Sequence, residues 1–83
     1  MGMIRDTKAN MLANQARSAY VNGQFIFAAM LNSPWSNIGA SGEIPDWSQM
    51  IEAVEREGWV LFQWAGSSDS RGNPQAYPVF RRR

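Results

Sequence analysis

The sequence predicts an α+β fold: a single small domain of order α-β-α-β-β, with two helices and a three-stranded sheet. Three observations carry this expectation. Two stretches repeat apolar or small residues at helical spacing, three short stretches are rich in aromatic and β-branched residues, and Gly- or Pro-containing breaks separate them. A chain of 83 residues suffices for one such domain.

The first helix is expected from about residue 6 to 22, with Asp6 or Thr7 as its cap. Ala9, Leu12, Ala13, Ala16, Ala19 and Tyr20 share one face. That face is mostly alanine, so another element can approach closely. Asn22-Gly23 supplies the stop, because glycine enters the left-handed cap conformation at little cost.

A strand follows at about 24–31, with Phe25, Phe27, Ala29 and Leu31 on one side and Ile26, Ala28 and Met30 on the other. Residues 32–45 read as a long loop containing Trp35 and Ile38, and loops of this length are often functional. The second helix is expected at about 46–57. Asp46 with Gln49 resembles a capping box, and Trp47, Met50, Ile51 and Val54 form the inner stripe. A hairpin closes the domain at about 59–82. On its first strand Trp59, Leu61, Gln63 and Ala65 face one way, and Val60, Phe62 and Trp64 the other.

A right-handed crossover through the second helix makes the first two strands parallel. Pro78 lacks an N–H, which favours an edge position for the third strand and the order 1-2-3. The order 1-3-2 stays open if Pro78 points that missing donor outward at a bulge.

Composition narrows the function classes. The chain has no cysteine and no histidine, which removes thiol nucleophiles, thiolate metal sites and the commonest general base. A net charge of +1 points at no strongly charged partner. No apolar run approaches the ~18 residues of a membrane span, and Met1 to Lys8 is polar, so a cytoplasmic protein without membrane contact is expected. Glu43 and Asp46 are too few and wrongly spaced for a hard cation, and Glu52 with Glu55 reads as a wet helix face. No catalytic, metal or cofactor site and no small-molecule substrate are expected.

What remains is contact chemistry. Trp47 and Trp59 are expected in the core with Ile51, Val54 and Leu61. Trp35, Phe62, Trp64 and Tyr77 are candidates for an interaction surface. Arg71, Arg81, Arg82 and Arg83 are candidates for gripping phosphates beside those rings, although alternation along a strand separates Arg82 from its neighbours.

The run Gly-Glu-Ile-Pro-Asp-Trp-Ser-Gln-Met-Ile-Glu-Ala-Val-Glu-Arg-Glu-Gly-Trp-Val-Leu, with Ala-Tyr-Pro-Val-Phe-Arg-Arg further on, resembles short actinobacterial and actinophage proteins. The same half resembles a domain-of-unknown-function family with the plan helix, Glu-Gly-Trp, strand, turn, strand, Phe-Arg-Arg. The resemblance implies a fold plan and a bacterial or phage source, and brings no catalytic residues. Seven arginines against the single Lys8 fit a high-GC coding source.

The function expected from these residues is a non-enzymatic protein-interaction module, self-associating as a homodimer or docking on a protein partner. The alternative is a nucleic-acid-binding accessory protein that uses the arginines and nearby aromatics. The strands are apolar on both sides. If both helices lie on one side, the other side is left bare, and Phe62, Trp64 and the Trp35 loop are the expected interface.

Overall fold

Helical periodicity and glycine stops place the two helices near their expected positions. α1 spans Met3–Val21 and α2 spans Pro45–Glu55. The computed structural model describes residues 3–34 and 41–83, and side chains from residue 7 onward within those spans. Trp35 and Ile38 lie outside the described residues.

α2 begins one residue before the expected 46, and its N-cap lies two residues before the Asp46 of the capping-box pattern. Ile44 is the N-cap, Pro45 occupies the first turn, and no side chain caps the helix. Proline is pre-set for that position by its fixed φ. Asp46 therefore moves inside the first turn, where it is buried and faces Lys8 at 3.9 Å.

Three strands complete the fold: β1 (Ile26–Ala28), β2 (Trp59–Ser68) and β3 (Pro74–Arg82). The sheet order is β1-β3-β2, with both neighbours antiparallel to β3. β1 and β2 thus run in the same direction, as the crossover implies, but β3 lies between them. This corrects the expected order 1-2-3. The reason lies at Pro78. Its carbonyl accepts from the Ala29 amide at 3.0 Å, so the side of Pro78 that lacks a donor faces β1, the shortest strand. The ladder lapses there and resumes in the same register at Leu31, whose amide donates to the Ala76 carbonyl at 2.7 Å. A central strand accommodates proline because only one ladder bond is lost, and that loss confines β1 to three residues instead of eight.

A second irregularity sits in β2. Leu61 pairs with Phe80, whereas Gln63 pairs with Val79, so Phe62 is an extra residue in a bulge. From that point the faces of β2 exchange relative to simple alternation. Trp64 lies opposite the buried Pro78, on the face shared with Leu61 and Phe80. Phe62 turns to the other face, beneath the Arg81 guanidinium at 5.6 Å from its ring. The expectation that Phe62 and Trp64 share a face is therefore corrected.

Both helices cover the same side of the sheet. One cluster joins Ala16 and Ala19 of α1, Val54 of α2, and Phe27, Trp59 and Phe80 of the sheet. A second joins Trp47 and Met50 with Leu31 and Ala76. The expected core thus divides in two, with Ile51 and Leu12 packed against both parts. Trp59 is the centre of the first. It is fully buried, donates its indole N–H to the Ala16 carbonyl at 3.0 Å, and meets the Tyr20 ring edge-on at 5.7 Å. The alanine face of α1 permits this approach: a larger residue at position 16 would hold the helix away from the indole.

Candidate functional site

With the helices on one side, the opposite face of the sheet has no covering layer among the described residues. Register assigns its residues. Ile26 lies opposite Arg81, Ala28 opposite Val79, Val60 opposite Arg81, Gln63 opposite Val79 and Ala65 opposite Tyr77. Met30 falls opposite Tyr77 by the same register, and Phe62 joins the face through the bulge. The large apolar members are well exposed: Met30 by 55%, Phe62 by 46%, Ile26 by 45% and Tyr77 by 37%. Exposed apolar side chains gathered on one sheet face are the kind of surface that marks a contact site.

The polar groups on this face pair mainly with one another. The Tyr77 hydroxyl donates to Gln75 Oε1 at 2.8 Å, and the Gln75 amide nitrogen lies 3.8 Å from the Met30 sulfur. Arg81 is the charged residue of the face, folded over Phe62. Such internally satisfied groups can enter an interface without leaving a donor stranded. The surface has the chemistry of a packing face and contains no nucleophile–base pair.

Trp64 belongs elsewhere. It is 61% exposed and rims an apolar groove of about 280 Å³ on the helix side, with Leu31, Ile44, Trp47, Ile51 and Pro78. The bulge that redirects it leaves no mark in Trp-Val-Leu-Phe-Gln-Trp, so sequence alternation alone could not find this placement.

The C-terminal arginines take three different roles. Arg81 is exposed on the bare face. Arg82 lies 3.9 Å over the Tyr20 ring, donates Nε to the Gln24 carbonyl at 2.7 Å, and donates a second nitrogen to the Tyr20 carbonyl. Arg83 donates to the carbonyls of Glu55 at 2.8 Å and Trp59 at 3.1 Å. Arg82 and Arg83 thus satisfy carbonyls at the ends of α1 and α2, where backbone acceptors lack helical partners. Arg71 sits in the hairpin turn. Pro74 and Arg82 mark the ends of β3, eight residue steps of ~3.3 Å or roughly 26 Å apart, so Arg71 is separate from the C-terminal group. The four arginines form no single patch.

No family model, curated protein or solved structure matches the chain. Among the described residues there is no group of three or more acidic side chains able to hold a metal. No helix there is long and apolar enough to cross a membrane.

Proposed function

We propose that the chain is a non-enzymatic interaction module that self-associates through the bare face of its sheet. The observation that carries this reading is the placement of both helices on one side, with Ile26, Met30, Phe62 and Tyr77 exposed on the other. A second copy suits this surface. The face is largely apolar, two of its polar side chains pair with each other, and a net charge of +1 gives two copies little overall repulsion. A symmetric dimer is the simplest assembly that hides it. The resemblance to actinobacterial and actinophage sequences supports a bacterial or phage source.

Molar mass by light scattering at tens of micromolar tests the reading. The expected result is a dimer or larger, whose mass falls in the Phe62→Glu, Met30→Glu variant. A monomeric wild-type protein would remove the basis for it.

One observation favours nucleic acid as a second reading. Phe62, Tyr77 and Arg81 share an open sheet face, the arrangement on which unpaired bases can stack. Steeply salt-dependent binding of a single-stranded oligonucleotide, lost in Arg81→Ala, would favour it over self-association.

A further inference from the structure

We propose that the chain carries a second self-pairing element, the open edge of β2 beyond the bulge, where an antiparallel copy of the same strand adds to the sheet. The inference rests on the self-association reading but uses different atoms from the bare face. β2 is an outer strand in the order β1-β3-β2. The phase of its ladder is fixed at both ends: the Arg83 amide donates to the Gly58 carbonyl at 2.9 Å, and the Asp69 amide to the Asn73 carbonyl at 2.8 Å. In an antiparallel pair alternate residues turn their N–H and C=O toward the partner. Counting from Asp69, residues 67, 65 and 63 face β3, whereas Ser68, Gly66 and Trp64 turn both backbone groups outward.

The two halves of this edge are treated differently. On the near side of the bulge the outward amide of Leu61 donates to Glu55 Oε2 at 3.2 Å, so a carboxylate of α2 blocks the edge there. On the far side every residue from Phe62 to Ser68 is exposed. Two devices that ordinarily protect an edge are missing from this half beyond the bulge: Trp59–Ser68 contains no proline and no charged residue. That neutrality also selects the occupant. Two copies of the strand meeting about a two-fold axis at Gly66 place no like charges opposite one another. Each outward N–H then meets an outward C=O of its mate, because an antiparallel pairing of identical strands is self-complementary. The chain itself tolerates a side chain at this position: a Cβ built on Gly66 comes no nearer than 4.0 Å to its closest neighbour, the Gln75 carbonyl.

Amide hydrogen exchange on the intact chain, at concentrations where it associates, reads this pairing directly. The amides of Gly66 and of its flanking outward residues Trp64 and Ser68 are expected to be protected, and to lose protection on dilution to monomer. Gly66→Pro removes the central donor without removing any bond to β3, and is expected to weaken association at least tenfold, two hydrogen bonds being lost by symmetry. Gly66→Ala keeps the donor and is expected to leave the mass unchanged. Unchanged circular dichroism in Gly66→Pro shows that the fold survives, and Ser68→Lys, a charge on the edge, serves as the second variant if it does not.

Association with all three amides exchanging freely overturns the edge pairing alone. Protected amides and an unchanged mass in the Phe62→Glu, Met30→Glu variant overturn the face contact and leave the edge standing. A chain that is monomeric at every concentration overturns both.

Discussion

Trp59 carries more of the fold than any other single residue. Its ring is fully buried between the helices and the sheet, and its one polar atom is satisfied by the Ala16 carbonyl. Trp59→Ala should lower stability by about 3–5 kcal/mol, the range for a buried aromatic. That is most of what so small a domain has, so thermal melting should show little or no cooperative transition. Next to it, Gly58 adopts φ +99°, and a Cβ there would lie 2.5 Å from the Tyr20 ring. Gly58→Ala combines backbone strain of ~1–2 kcal/mol with displacement of a ring held between Trp59 and Arg82, and the melting temperature should fall by at least about 5 °C. Arg82 acts through shape as well as charge. Arg82→Lys should recover little of the loss caused by Arg82→Ala, because an ammonium cannot lie flat on Tyr20 while reaching two carbonyls. Denaturant midpoints of the two variants check this.

Between elements, a bidentate ion pair ties α1 to the turn after α2. Arg17 Nε and a terminal nitrogen meet the two oxygens of Glu57 at 3.0 and 2.9 Å. The hydrogen bonds from Arg17 hold the Glu57 carboxyl below its ordinary value of 4.5. A depressed carboxyl binds fewer protons folded than unfolded, so its contribution is present above pH 4.5 and is lost as pH falls through the folded value. In the hairpin turn, Asp69 is also held low, by the amides of Asn73 and Arg71, and acts in a lower window, below 3.8. The urea midpoint should therefore drop on acidification from pH 6 to pH 3, and drop less in Glu57→Gln. Equal drops in both proteins would show that the pair contributes nothing. The elements themselves were largely legible: helical spacing, Gly58 and the Gly72 turn mark them in the sequence. Strand order was not. Pro78 signals a missing donor, but nothing local says which neighbour faces it, and here that neighbour is a strand short enough to lose a bond. The helix start was one residue out because Pro45 competes with Asp46 for the first turn.

At the scale of the whole molecule, the bareness of one sheet face was legible only as a condition, since the sequence shows apolar residues on both sides of the strands without showing where α1 packs. The alanines Ala16 and Ala19 decide it: they fit α1 against Trp59 and Phe27, on the side α2 already covers. The candidate residues then divide. Phe62 and Tyr77 share the open face with Arg81, Trp64 lines the groove behind it, and Arg82 and Arg83 are consumed by the fold. Introducing a negative charge should separate these surfaces. Phe62→Glu is expected to weaken the face contact and lower the solution mass, whereas Trp64→Glu should leave the face contact intact and act on the groove and the β2 edge. An unchanged mass in Phe62→Glu together with a reduced mass in Trp64→Glu would move the interface off the bare face, to the β2 edge or the helix side.

The central position of β3 has a consequence for biosynthesis. Among the described residues β1 and β2 pair only with β3, which is the last of the five elements to leave the ribosome. From Ala28 to Pro74 is 46 residues, so at ordinary translation rates of 5–20 residues per second the uncharged run from Gln24 to Leu31 waits about 2–9 s before its mate exists. The nascent chain therefore cannot fold strand by strand. It holds the apolar β1 segment without its strand partner until β3 arrives, an interval in which only the helices, through Ala16, Ala19 and Val54, can supply native cover for Phe27 and Trp59.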